Sequence, residues 1–212
     1  MPTLLVFTLL ICVLLQYRIR HNTKEEDNKD AEFWAKEARS NSTRRRDISS
    51  LPYIHVEEAE LPFHENEPDR EIKSAERLIK SLAGAKILCL TGMSNTDLKL
   101  KYGVANLETL AACDENFARL VRSLHKWGKR SFDRGDIDDA LAVLSYASEI
   151  GSDIGETYKL LAKIAREKDD NELYELTRTQ VGANFKDSRK DKVLADIERI
   201  YQGADNDDNE TI

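Results

Sequence analysis

Residues 121–154 read VRSLHKWGKRSFDRGDIDDALAVLSYASEIGSDI. Together with Phe117 and Leu120 just upstream, Val121, Leu124, Trp127 and Gly128 recur at helical spacing, so their side chains fall on one face of a long helix that Asp114 is placed to cap. Gly135 breaks that pattern, and Asp136 is placed to cap a second helix with the stripe Ile137, Ala140, Leu141, Leu144, Ala147 and Ile150. Two amphipathic helices joined by so short a turn must pack antiparallel, as a hairpin.

Working outward, the same period continues. Tyr158, Leu161, Ala162 and Ala165 predict a helix near 153–168, Leu173, Leu176 and Val181 one near 170–181, and Val193, Leu194, Ile197 and Ile200 a last one over about 187–202. Upstream, Pro68 is expected to open a helix carrying Ile72, Ala75, Leu78, Ile79 and Leu82, which Gly84 stops. Ser94 or Asn95 can cap a short helix to Tyr102, and Asn106–Cys113 reads as another. The run Ile87–Leu90 is buried strand or helix, and periodicity does not choose between them. The expected fold class is all-α.

The quoted stretch resembles a tetratricopeptide repeat, a helical hairpin of 34 residues whose small side chains let two helices approach closely. Trp127 and Gly128 look like the repeat's large-then-small pair, Phe132 like its aromatic, Gly135 and Asp136 like its turn, and Ala140, Leu144 and Ala147 like the packing positions of its second helix. One repeat further on, Leu161 and Ala162 replace Trp127 and Gly128, Asp169 and Asp170 stand at the turn and Val181 replaces Ala147, while Tyr174 takes a small-residue position and departs from the pattern. The helix-ending proline is missing from both units. Composition and turn phrases also resemble those of uncharacterised small membrane-anchored proteins of Gram-positive bacteria, a similarity that implies a tether and no activity.

The flanks differ in kind from this body. Residues 1–17 carry no charged side chain and a run of ten large apolar ones between Leu4 and Leu15, too apolar for water, and the basic Arg18 and Arg20 follow the apolar run instead of preceding it as in a cleaved signal. The expectation is a transmembrane anchor over 1–17, short enough that Arg18 and Arg20 snorkel, with the N-terminus outside and the bulk of the chain cytoplasmic by the positive-inside rule. Residues 18–67 read as a juxtamembrane stalk and an extended, proline-broken linker, 68–202 as the helical domain and 203–212 as a disordered acidic tail. Net charge is +2 over 18–50, −5 over 51–70, zero over 71–202 and −4 over 203–212, which argues against nucleic acid as a partner. Arg44, Arg45 and Arg46 form a small basic cluster suited to anionic headgroups or to plain solvation. Three widely spaced cysteines, Cys12, Cys89 and Cys113, make no disulfide or zinc pattern.

The sequence assigns no catalytic residue, metal or cofactor. Its four histidines lie at no ligand spacing. Gly92, Met93 and Ser94 begin like a nucleophile elbow, but Thr96 replaces the second glycine, so Ser94 reads first as a cap, with a hydrolase as the distant alternative. The repeat resemblance implies a binding face instead. Its exposed first-helix positions fall on Arg122, His125, Lys129, Lys159, Lys163 and Arg166, a basic face suited to an acidic extended segment, with a merely solvated face as the plain alternative. That segment belongs to a protein partner or to this chain, as the acidic linker around Glu57–Glu67 or the tail. The expected function is a membrane-tethered interaction module; an accessory subunit of a larger membrane complex is the alternative.

Overall fold

The computed structural model describes residues 29–203, together with Gln16 and Arg18. Among the described residues there are eight helices and no strand: α1 (29–41), α2 (Arg70–Leu82), α3 (Asn95–Tyr102), α4 (Leu107–Arg134), α5 (Ile137–Glu149), α6 (Gly155–Glu167), α7 (Asn171–Asn184) and α8 (Asp187–Tyr201). The all-α class is thus what the chain adopts. No helix among the described residues is long and apolar enough to cross a membrane. The expected anchor, residues 1–17, lies outside them apart from Gln16, as do Arg20 and all of the acidic tail beyond Gly203.

Two compact units share the chain. The smaller joins the residues up to Ser50 to Gly92–Glu108; the larger joins Leu51–Thr91 to the residues from Thr109 onward. In the smaller unit α1 is held to α3 by polar contacts: Lys99 pairs with Glu37 and donates to Asn41 at 2.9 Å, Thr96 donates to Glu37 at 2.7 Å, and Lys36 pairs with Asp97 at 2.8 Å. Asn106, fully buried, donates to the carbonyls of Arg46 and Tyr102, both at 2.7 Å, so the backbone of the Arg44–Arg46 cluster is strapped to the end of α3. Gly103 has φ +88°, and a Cβ there would collide with the Arg44 carbonyl, so the strap requires glycine.

In the larger unit one apolar cluster gathers Ile72, Ile79 and Leu82 of α2, Phe117, Leu124 and Trp127 of α4, and Val143 and Ala147 of α5. The segment 51–67 belongs to it: Leu61 is buried, and the Phe63 ring packs on Trp127 at 5.2 Å between centroids. A second cluster joins α6, α7 and α8 through Tyr158, Tyr174, Val181 and Ile197, and a third, with Ala140, Leu144, Leu161 and Ile164, seals α5 to α6. At Gly128 α4 and α5 pack closely enough to require glycine, since a Cβ there would stand 2.5 Å from the Leu144 Cγ.

Several local expectations are corrected. Asn106–Cys113 and the helix after it are one continuous α4, because Asp114 does not cap; its carboxylate accepts the Leu90 N–H at 2.9 Å. Pro68 stands before α2 rather than in its first turn, the cap being Asp69, which accepts from the N–H groups of Glu71 and Ile72. Asp136 adjoins α5 but makes no capping bond, because its carboxylate pairs with Arg134 at 2.8 Å. Ile87–Leu90 is neither strand nor helix. Ile87 makes one isolated antiparallel bridge to Ile54, whose N–H reaches the Ile87 carbonyl at 2.9 Å.

The helix ends recur. At Gly135 (φ +86°) the chain turns left-handed, the Gly135 N–H bonds the Phe132 carbonyl and the Asp136 N–H the Ser131 carbonyl, which is a Schellman end. The same pair of bonds closes α6 at Asp169 (φ +52°), and Gly203 (φ +78°) ends α8. Residues 135, 169 and 203 lie 34 apart, and α5 and α7 start 34 apart.

Candidate basic site

α4, α6 and α8 lie side by side and run the same way. His125 Nδ1 meets Thr157 Oγ1 at 3.2 Å across α4 and α6, each about three turns before its helix ends. Lys159 pairs with Asp196 at 3.1 Å, and Arg166 donates to the Ile200 carbonyl at 2.8 Å across α6 and α8. Lys168, just past α6, pairs at 2.6 Å with Asp138 in the first turn of α5, directly after α4, so the C-terminal ends of α4 and α6 lie together, and the Arg166 contact brings the end of α8 to the same place.

The structure divides the six expected binding residues. Lys159 and Arg166 are half-buried against α8, and Lys159 also pairs with Glu156, so hydrogen bonds with both carboxylates hold its ammonium pKa above the ordinary value. Lys163 is half-buried on the same helix, and Arg122 is exposed on α4 beside a small cavity that Asp114 and Asp153 also line. His125 and Lys129 instead meet in a cleft of about 660 Å3 between α2 and α4. Burial holds the His125 imidazole below its ordinary pKa, and nearby Lys129 adds to that against the opposing pull of Glu156.

The walls of this cleft are cationic, with Arg70 from α2 and Lys126, Lys129 and Arg130 from α4. Its floor is apolar, made by Ala75 and the half-buried Leu78. Glu71 and Asp133 also line it, but Lys129 pairs with Asp133 at 2.9 Å, and Arg130 with Asp69 at 2.8 Å and Glu71 at 3.8 Å. Arg70 and Lys126 are exposed and have no ion-pair partner among the described residues. The repeat resemblance points to Arg122, His125 and Lys129 on α4 and so passes over their neighbours Lys126 and Arg130, and it does not extend to Arg70 on α2 at all. The opposite wall is α2, forty residues or more away in sequence, although the i, i+4 pair Lys126 and Arg130 flanking Lys129 is a visible signal.

Of the other candidates, Ser94 is a cap. Its Oγ accepts from the Asp97 N–H at 3.2 Å and donates to the Asp97 carboxylate at 2.6 Å, while the Ser94 N–H reaches the same carboxylate. The Lys36 ammonium foremost, and these hydrogen bonds next, hold the Asp97 pKa down to about 2. The acidic linker does not line the cleft and is held elsewhere: Glu67 is buried against Arg134 at 2.6 Å, and the Glu57 N–H donates to the Tyr146 hydroxyl at 3.0 Å. No family model, no curated protein and no solved structure matches the chain.

Proposed function

We propose that this chain is a membrane-tethered protein-interaction module, a scaffold that binds an acidic extended segment in the basic cleft between α2 and α4, with residues 1–17 as the tether and the helical body in the cytoplasm. The observation that carries the reading is the pairing of two counter-ion-free cations, Arg70 and Lys126, with an apolar floor of Ala75 and Leu78. Charge there supplies steering and register, and the apolar floor supplies contact area. Tethering would hold whatever is bound at high local concentration beside the bilayer. The recurrence of helix ends every 34 residues supports the kinship with tetratricopeptide-like hairpins, which commonly serve as binding surfaces.

The test is fluorescence anisotropy of a labelled peptide of glutamates around a single leucine, titrated with the full chain in detergent or lipid. Saturable binding is expected, weakened by added salt, and lost in the Arg70→Glu, Lys126→Glu variant with unchanged circular dichroism. Equal binding by that variant would move the site elsewhere.

A second reading, an accessory subunit of a larger membrane complex, is favoured by Phe33 and Trp34. These neighbouring aromatics on α1 are 55% and 66% exposed and pack edge-to-face. In that case replacing both by Ser, or replacing residues 1–17 by an unrelated membrane helix, would release the chain from its complex while leaving peptide binding intact.

A further inference from the structure

The geometry points to an occupant for the α2–α4 cleft that the chain itself carries: the acidic segment 204–212, docked there when no partner is bound. The inference rests on the cleft being the acidic-segment site proposed above, and it adds which of the chain's own acidic stretches competes for it.

Two acidic stretches are available, and the structure commits one of them. The linker 51–67 is locked into the core by Leu61 and by Phe63 against Trp127, with Glu67 held on Arg134. It cannot enter the cleft without unpacking that core. The segment 204–212, ADNDDNETI, carries Asp205, Asp207, Asp208 and Glu210, no basic residue, and one large apolar residue, Ile212.

Its point of departure is favourable. Gly203 ends α8 at the end of the layer where Gly135 ends α4, as the Arg166–Ile200 and Lys168–Asp138 contacts place them. The cations of the cleft cluster toward that end: Arg130 lies four residues before Arg134 and meets Asp69, the cap of α2, so Arg70 is there as well. Across α6, α8 lies two helix spacings from α4, about 20 Å at the usual 8–10 Å per packed pair. Nine extended residues span about 30 Å. At about 3.4 Å per residue Asp205 and Asp207 stay within about 14 Å of Gly203, so the residues that reach Arg70 and Lys126 are the last ones, Glu210 foremost with Asp208 before it; the carboxylates already lining the cleft, Glu71 and Asp133, are matched by Arg130 and Lys129.

A tethered competitor that itself binds with about 0.1 mM affinity, at an effective concentration of about 1 mM, weakens any external ligand for the same site roughly tenfold. The probe is a fluorescein-labelled peptide with the sequence of residues 204–212, added to three full-length chains. These are the wild type, a neutral-tail variant (Asp205→Asn, Asp207→Asn, Asp208→Asn, Glu210→Gln), and the neutral-tail variant carrying Arg70→Glu and Lys126→Glu. The neutral-tail chain is expected to bind the probe about tenfold more tightly than the wild type, and the third chain not at all. Equal affinity in the first two chains overturns self-occupancy. Binding that survives in the third, or no binding in any, overturns the cleft as the segment's docking site. The glutamate–leucine peptide titrated on the same chains separates the two readings. If only that peptide depends on Arg70 and Lys126, the cleft reading stands and the self-docking inference falls.

Discussion

Glu67 shows how one carboxylate can fasten an irregular segment to a helical core. Burial on its own would raise its pKa. The Asp69 N–H, donating at 2.8 Å, and the Arg134 guanidinium outweigh that and hold the carboxyl below its ordinary value. A group whose folded pKa is depressed contributes stability that is present above its unfolded pKa, about 4.3, and is lost as pH falls through the folded value. Glu67→Gln keeps an acceptor for the Asp69 N–H but leaves Arg134 without this counter-ion. At pH 7 it is expected to destabilise the fold by about 1.5–3 kcal/mol, the usual range for a hydrogen bond to a charged group. Urea melts of wild type and variant from pH 7 to pH 3 should converge as Glu67 is protonated; a gap that persists unchanged at pH 3 would assign the loss to packing instead.

Among the elements, the hairpins were legible because their signals are local. The stripe around Trp127 and the glycine at 135 announce α4, its turn and α5, and the close approach of Gly128 to Leu144 is the contact that a large-then-small pair implies. What escaped the sequence is contact between distant residues. Asp114 looks like a cap until Leu90 takes its carboxylate, and Glu37 gives no sign that Lys99 will meet it. Hydrophobic period says which face is buried and is silent on what covers it, which is why α2 was missed as a wall of the cleft. The turns carry a prediction of their own. Asp169 takes the left-handed conformation that Gly135 and Gly203 take at the corresponding ends, and a residue with a Cβ is strained there by about 1–2 kcal/mol, somewhat less for Asp. Asp169 is exposed, so Asp169→Gly sacrifices no packing. It should raise stability by about 0.5–1 kcal/mol, read as a higher denaturation midpoint at constant slope; a lower midpoint would mean that the Asp169 side chain serves the turn.

At the scale of the larger unit, apolar contact is organised in sequence order: α2, α4 and α5 share one cluster, α5 and α6 the next, and α6, α7 and α8 the last. An array in which each element touches only near neighbours has stability close to a sum of local terms, so its ends open more easily than its middle. α8 is such an end, held by Val193, Ile197 and Ile200 and by the stacking of Tyr201 on Tyr174 at 3.9 Å between near-parallel rings. Tyr201 is half-buried, so Tyr201→Ala, which removes that stack and part of the apolar seal over α7, costs about 1.5–3 kcal/mol, below the range for a fully buried aromatic. In native-state hydrogen exchange, amides of α7 and α8 should then exchange at least tenfold faster, while those of α4 around Leu124 keep their protection, since α4 shares no cluster with Tyr201. Loss of protection in α4 to the same degree would show that the three clusters unfold as one, and the α2–α4 cleft would then depend on the integrity of the C-terminal helices.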